Sequence, residues 1–357
     1  MPPAVRRRPR RPATALGLVL LLAGSGACAS DADPAPGPRR GAPASPAAGP
    51  DAATPPFWVD PNSPAARQVA AWEAQGRNSD AQLLRRISER PGALWAPGGD
   101  PRPAVRRAAS AARAAGRTLV VAAYNIPHRA VPHPSCADRP TGGARDAGAY
   151  RAWIGSLADA LAGARALVVL EPGAVAHLVD GCAGPGPREE RYRLLAEAVE
   201  RLKRDPGTRV YLDAGHADWI RDPDDLVEPL RRSGLERADG FALNVAGFRP
   251  DAEVREYGAR LSRALGGRHF VVDTGRNGAG PPPESAESPE ATTDRSWCNP
   301  PGRALGTPPT DRTGDPLVDA YLWVRPPGAS DGTCRGGPEA GVWWPDHALG
   351  LARRARE

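Results

Sequence analysis

The sequence predicts an α/β fold built on a parallel sheet, and three observations lead to it. From Phe57 onward, short apolar runs alternate with segments of helical periodicity, which is the order of strands joined by crossover helices. The run 119–123 is apolar throughout, as expected for a strand covered on both faces. Polar residues follow the runs at the end where a parallel sheet binds its ligands.

Seven apolar runs are predicted as strands: 93–96, 118–124, 166–171, 209–213, 240–244, 269–273 and 320–324. Helices are predicted between them at 105–115, 149–161, 189–202, 223–233 and 252–265, where apolar residues recur with the helical period. The segment 278–295 is rich in proline, glutamate and threonine and has no periodicity. It is predicted as a surface insertion.

Polar side chains follow six of the predicted strands or the loops after them: Tyr124 with Asn125, Glu171, Asp213 with His216, Asn244, Asp273 and Asp331. One polar residue after a strand is expected in any loop. Because the carboxyl ends of parallel strands lie along one edge, six such positions together predict a single cleft.

The formal net charge of the chain is +6, but the charge is unevenly distributed. Five arginines lie within the first eleven residues, which leaves +1 for the remainder. A nearly neutral domain gives no electrostatic reason to expect a nucleic-acid partner. The arginines precede an apolar run, 13–23, and small residues up to Ala27, an order typical of a secretory signal over residues 1–27.

Cys28 follows the predicted cleavage point in the segment Ser25-Gly26-Ala27-Cys28, which is similar to a bacterial lipobox. Four other cysteines can form two disulfides in an oxidising compartment, so Cys28 is the odd one. We therefore predict an exported lipoprotein on the outer face of the cell membrane; the alternative is a secreted protein with an incidental cysteine. Residues 28–55 are predicted to be a disordered tether, and the folded domain spans 56–357.

Several function classes lack their motifs. The sequence has no glycine-rich phosphate loop, no His/Cys spacing suited to zinc and no Gly-x-Ser-x-Gly elbow, which argues against phosphoryl transfer and serine hydrolysis. We expect no cofactor and a monomer.

Motifs along about 300 residues resemble glycoside hydrolase family 6, the cellulases and cellobiohydrolases that act on β-1,4-glucan. They are Phe57-Trp58-Val59-Asp60-Pro61, Tyr124-Asn125-Ile126-Pro127, Glu171-Pro172, Asp213-Ala214-Gly215-His216, Asp273-Thr274-Gly275-Arg276-Asn277-Gly278, Trp297-Cys298-Asn299-Pro300, Gly302-Arg303-Ala304-Leu305-Gly306, Ala320-Tyr321-Leu322-Trp323-Val324 and Asp331-Gly332. The resemblance implies a distorted, incompletely closed parallel α/β barrel. It also implies that Cys136 pairs with Cys182, and Cys298 with Cys334.

Binding of a pyranose ring requires aromatic platforms for its C–H face and fixed polar groups for its hydroxyls. The candidates for this role lie at strand ends or in adjacent loops: Trp95, His216, Trp219, Asn244, Trp297, Trp323 and Arg325. For Trp297, packing against the neighbouring disulfide is as good an interpretation as sugar binding. For Trp323, packing in the core is equally good. Tyr124 is expected in the same cleft.

Inverting hydrolysis needs a carboxylic acid that protonates the leaving oxygen and a carboxylate that activates water. The resemblance implies that Asp331 is the base and Asp213 a supporting carboxylate. The family acid is the aspartate of a Glu-Pro-Asp motif, but here Gly173 stands in its place, and Ala130 stands where a second family aspartate is expected. Glu171, Asp138 and Asp146 are the candidate substitutes for the acid.

Two functions follow from these observations. The first is inverting hydrolysis of β-1,4-glucan or cello-oligosaccharides by a surface-tethered glucanase that uses Asp331 as base and recruits its acid from the loop 130–146. The second is a non-catalytic, glucan-binding surface lipoprotein.

Overall fold

The computed structural model describes residues 56–129, 142–182, 185–282 and 297–355. The predicted signal, tether and lipidation site at Cys28 lie outside these ranges. So do Ala130, Cys136, Asp138 and most of the predicted surface insertion. Within the described ranges, none of the helices has the length and apolar character that crossing a membrane requires.

Seven parallel strands form one sheet in sequential order: β1 (Leu94–Trp95), β2 (Leu119–Ala123), β3 (Ala166–Leu170), β4 (Thr208–Asp213), β5 (Gly240–Leu243), β6 (His269–Asp273) and β7 (Val318–Leu322). The sheet curls so far that its two edges approach each other. The contact between them is a 3.0 Å hydrogen bond from the Ala93 amide to the Trp323 carbonyl. No ladder joins β1 to β7 among the described strands. The prediction of an incompletely closed parallel barrel is confirmed.

Nine α-helices surround the sheet in the described part of the chain: α1 (Pro64–Ala74), α2 (Asn78–Ser88), α3 (Arg102–Ala114), α4 (Ala147–Leu161), α5 (Ala176–Val179), α6 (Pro185–Leu202), α7 (Val227–Arg232), α8 (Asp251–Ala264) and α9 (Pro345–Arg354). The helix predicted at 223–233 is a 3₁₀ turn, Pro223–Leu226, followed by α7. Local sequence explains some helix starts: the Ser63 side chain accepts from the Ala66 amide before Pro64 of α1, as capping requires.

Both faces of the sheet are buried. Along β2, Val120 and Ala122 belong to a cluster made by the strands themselves, whereas Leu119 and Val121 belong to the cluster shared with the helices. This alternation follows from the two-residue period of a strand. It explains why β2 and β3 are apolar at every position, whereas β4 and β7 carry the paired charges Arg209 and Asp319 near their first residues.

One glycine shows how closely a helix approaches the sheet. A Cβ at Gly258 of α8 would lie 2.4 Å from the Phe270 ring of β6, which no side chain tolerates. Such contacts fix the strands beneath the helices and therefore fix the carboxyl edge on which the candidate site is built.

Candidate active site

Asp331, in the loop after β7, is a buried carboxylate surrounded by positive charge. Its Oδ2 accepts a 2.7 Å hydrogen bond from Arg276 Nη1 and a 2.9 Å bond from the Asn299 amide. Arg325 Nη2 lies 3.4 Å from Oδ1. Burial by itself raises the pKa of Asp331, but the charges of Arg276 and Arg325 lower it further than that. The carboxylate therefore stays ionised at neutral pH, the form that can accept a proton.

Asn299 holds the Asp331 loop in place. Its Oδ1 accepts from the Asp331 amide at 2.8 Å, and its Nδ2 donates to the Gly332 carbonyl at 2.8 Å. Cys298, its neighbour, forms a disulfide with Cys334 across 36 residues. The loop that carries the candidate base is therefore linked covalently to the segment that carries Asn299.

Asp213 ends β4 and is also buried. Its Oδ2 accepts from the Gly173 amide at 2.6 Å. Burial raises its pKa to about 7, and the amides of Gly173 and Gly215 oppose this only in part. A carboxyl with this pKa is present in both protonation states near neutral pH, but only 1% of the residue is exposed. Its position fits a supporting role toward the backbone at Gly173.

Two other strand-end carboxylates bind backbone amides. Glu171 accepts from the Asn125 and Ile126 amides at 2.9 to 3.0 Å, which joins the ends of β2 and β3. Asp273 accepts from four amides, on Ala246, Gly275, Val324 and Arg325, at 2.9 to 3.1 Å. These carboxylates connect neighbouring loops, and the hydrogen bonds engage the oxygens that a proton donor would need.

Gly173 occupies the position of the expected family acid and has φ +79°. A Cβ at this position would lie 3.1 Å from Trp219 Cη2 and 3.6 Å from His177 Cδ2. The indole and imidazole rings therefore border the space in which a side chain at residue 173 would begin. Positive φ is a conformation that glycine adopts without strain.

His177 and Trp219 share one carboxylate. His177 Nδ1 lies 3.3 Å from Asp180 Oδ2, and Trp219 Nε1 donates to the same oxygen at 2.7 Å. The two rings meet edge to face, with their centroids 4.7 Å apart. The His216 ring lies 6.0 Å from Trp219. Trp219 and His216, both predicted to bind sugar, therefore lie together beside Gly173.

Trp95 and Tyr124 form a second aromatic group in the cleft. Their ring centroids are 5.4 Å apart in an edge-to-face contact, and the Arg325 guanidinium lies 5.7 Å from the Trp95 ring. Arg129 lies 4.0 Å over the Tyr124 ring. A cavity of about 700 Å³ opens beside Trp95 and Arg325. Arg325 also lies 3.4 Å from Asp331, so it connects the two rings to the Asp331 cluster, which consists of Asp331, Arg276, Asn299 and Arg325.

The remaining predicted sugar ligands differ in their surroundings. Asn244 is fully buried, and its Nδ2 donates to the carbonyls of Asp273 and Arg249, so its amide is used within the loops. Trp323 is 2% exposed and donates to the Thr307 carbonyl, which favours packing over sugar stacking. Trp297 is half-buried beside the disulfide.

Sequence reasoning did not assign Arg276, Asn299, His177 or Asp180 to the site. Arg276 and Asn299 lie within motifs that carry the family resemblance, and those motifs were the signal by which the sequence could have indicated them. No sequence motif indicated His177, because its proximity to Gly173 depends on a hydrogen-bonded turn between the two residues. Asp146, a candidate acid, caps α4 instead: the Ala149 amide, with help from Arg145, lowers its pKa.

Cys182 lies beside His177 and Asp180. The predicted pairing of Cys136 with Cys182 involves a residue outside the described ranges. Cys182, His177 and Asp180 lie close enough to suggest a metal site, but Cys182 is disulfide-bonded and thiolate is the form that binds metals.

Comparison with known proteins gives one family. The model for glycosyl hydrolases family 6 matches residues 52–355. Endoglucanase A of Cellulomonas fimi is 39% identical over 304 residues, which cover 84% of this chain and 61% of the relative. Endoglucanase 1 of Streptomyces halstedii is 36% identical over 317 residues, covering 86% of this chain and 91% of the relative. The chain thus spans about three-fifths of the Cellulomonas protein.

Solved structures agree with this result. The endoglucanase Cel6 from Mycobacterium tuberculosis, solved with methyl-cellobiosyl-4-deoxy-4-thio-β-D-cellobioside, is 40% identical, with a TM-score of 0.73 and coverage of 85% of this chain and 98% of that one. Endoglucanase Cel6B from Humicola insolens has a TM-score of 0.70 at 21% identity. At that identity the likeness concerns the fold alone.

Proposed function

The chain belongs to the glycosyl hydrolases of family 6, and on that premise we propose that it hydrolyses β-1,4-glucan or cello-oligosaccharides with inversion, using Asp331 as the proton acceptor. Inversion requires a carboxylate that takes a proton from water while the glycosidic bond breaks. Asp331 meets this requirement because two guanidinium groups and an amide keep it ionised and in a fixed orientation.

The Asp331 cluster is the observation that carries the proposal. Arg276 and Asp331 have side chains only 4% and 5% exposed, so their charges interact with little screening by water. Removing charges from water is costly, and a buried pair at the ligand-binding edge of the sheet is a pattern typical of active sites.

Substrate binding rests on the aromatic groups beside this cluster. Trp95 and Tyr124 lie next to Arg325, and Trp219 lies next to Gly173. Indole and phenol rings stack on the C–H face of pyranose rings, while guanidinium groups donate to hydroxyls. A β-1,4-linked chain repeats such faces along its length, which fits platforms at separate points of one cleft.

A second function, glucan binding without catalysis, is favoured by one observation. Gly173 has no carboxyl to donate, and the Trp219 ring borders the space that a side chain would enter. General acid catalysis typically contributes about 10²- to 10⁴-fold in rate, so its complete loss would leave binding as the main activity.

One pair of measurements separates the two functions. Reducing-sugar release from cellotetraose and calorimetric binding of the same sugar should both be observed for the wild type. Asp331→Ala should abolish release but retain measurable binding. Asp319→Ala is the matched control, because Asp319 lies on β7 itself, paired with Arg209, and should leave the rate unchanged. Wild-type binding with no release above the Asp331→Ala level would exclude hydrolysis.

We further propose that the protein is exported and anchored through a lipid on Cys28. Support comes from the signal-like first 27 residues and from the odd number of cysteines, which is five. Cys28→Ala should then move the protein from the membrane fraction to the medium. A wild type found wholly in the medium would contradict the anchor while leaving export intact.

A further inference from the structure

A histidine and an aspartate lie where the family acid is missing. The His177 amide donates to the Gly173 carbonyl at 3.0 Å. Gly173 itself precedes α5 and has φ +79°, so this is a hydrogen-bonded turn that leads into the helix. The turn brings the imidazole of His177 against residue 173, with its Cδ2 3.6 Å from the Cβ position.

The orientation of the ring is fixed by Asp180. Nδ1 points to Asp180 Oδ2 at 3.3 Å, and the opposite edge, which carries Cδ2 and the adjoining Nε2, is the one near residue 173. Asp180 is itself held by Trp219 Nε1 at 2.7 Å and by the Cys182 amide at 2.8 Å. The His177 side chain is 11% exposed, so the ring is mostly enclosed but not sealed.

We propose that protonated His177, oriented by Asp180, donates the proton to the leaving glycosidic oxygen in place of the missing carboxyl. The inference rests on the proposed hydrolysis and names the proton donor for it. A carboxylate that accepts from one ring nitrogen stabilises the imidazolium and directs the other nitrogen toward the reacting group.

The step balances as an inverting hydrolysis. Water attacks the anomeric carbon and gives a proton to Asp331. The bond between the anomeric carbon and the glycosidic oxygen breaks, its electron pair goes to that oxygen, and the oxygen takes the proton from His177 Nε2. The products are an inverted hemiacetal and an alcohol, with His177 neutral and Asp331 protonated. Exchange of one proton with solvent at each group restores the enzyme.

The neighbouring carboxyls fit the donor role less well. Glu171 is fully buried and accepts from the amides of Asn125 and Ile126. Asp213 is 1% exposed. Asp146 is held as a helix cap.

Several charged or titratable groups near His177 influence its protonation. Asp180 lies on the same segment, and Asp213 and His216 follow β4. Arg188 and Arg191 of α6 donate to the carbonyls of Leu178 and Ala174 in that segment. Any pH dependence therefore reflects these groups together, and Asp180 lies in hydrogen-bond contact with the imidazole.

The test compares two substrates and two variants. Cellotetraose has a poor leaving group that needs a proton, whereas the dinitrophenolate released from 2,4-dinitrophenyl β-cellobioside does not. His177→Asn retains a donor near the Nδ1 position and removes Nε2. This variant should lower kcat/KM on cellotetraose by about 10²- to 10⁴-fold. Its kcat/KM on the dinitrophenyl substrate should change by less than about threefold, because that leaving group needs no proton. His269→Asn is the control, since His269 is paired with Asp319 at 2.9 Å away from the cleft, and it should change neither rate.

The pH profile supplies an independent measurement. Donation by an imidazolium predicts that kcat/KM on cellotetraose falls as pH rises, and Asp180→Asn should move this fall to lower pH because the positive ring loses its counter-charge. Equal losses of His177→Asn on both substrates, or an unchanged cellotetraose rate, would overturn the assignment of His177. A wild type inactive on both substrates would instead refute the proposed hydrolysis itself.

Discussion

Replacing Gly173 by aspartate tests what a carboxyl at this position can do, and the structure sets its cost. The backbone there has φ +79°, and left-handed geometry costs an L-residue roughly 1–2 kcal/mol. The new Cβ would also lie 3.1 Å from Trp219 Cη2, so the indole must shift slightly. We expect the free energy of unfolding to fall by about 1–2 kcal/mol, which corresponds to roughly 2–3 °C in Tm for a domain of this size.

Gly173→Ala is the matched control because it has the same backbone strain and the same Cβ but no carboxyl. The ratio of the Asp to the Ala rates therefore isolates the carboxyl. We expect Gly173→Asp to hydrolyse cellotetraose about 10-fold faster than Gly173→Ala, below the range of a fully positioned acid, because Ala130 supplies no partner carboxylate. Adding Ala130→Asp should raise the rate further, since paired carboxyls titrate together.

The assays are reducing-sugar release and thermal unfolding on the same three proteins. Equal rates for the Asp and Ala variants, with equal losses of stability, would refute the reasoning that a carboxyl at residue 173 reaches the leaving oxygen. A Gly173→Ala variant as stable as the wild type would refute the strain argument separately.

Three further predictions concern the same cleft. Asp331→Ala leaves Arg276 buried without its carboxylate, so chemical denaturation should show a loss of about 3–5 kcal/mol; a smaller loss than for Asp319→Ala would contradict the burial argument. The pKa of Asp213 is raised to about 7 by burial, so its contribution to stability is complete below about pH 4 and declines as pH rises toward 7; Asp213→Asn should flatten that decline in a pH series of melts, and an unaltered slope would count against the raised pKa. The Cys298–Cys334 disulfide closes a 36-residue separation, worth about 4 kcal/mol by chain entropy; Cys334→Ser should lower unfolding free energy by that order, and peptide mapping without reduction should recover the bridge.

The sequence alone determined the barrel and most of its strands. Strands buried on both faces are mostly apolar, so runs such as 119–123 are visible without a structure, and the observed β6 (His269–Asp273) has the predicted ends. The polar residues at strand ends were found for a related reason: where the apolar run stops, the side chains meet backbone groups of the loops, so a buried polar residue there can be hydrogen-bonded. Motif order then identified the family, and the resemblance named Asp331 and Asp213 as candidate carboxylates.

Tertiary structure decided how each of those residues is used. Asn244 and Asp273 look like ligands in sequence, but their partners are backbone groups of loops that come together only in the folded sheet. Trp323 is equally compatible with the core and the cleft until its burial is known. The position of His177 beside Gly173 depends on a single hydrogen-bonded turn between the two residues. Sequence records which side chains are present, whereas hydrogen-bond partners and burial arise from contacts between distant segments, and these decide which polar groups remain available for chemistry.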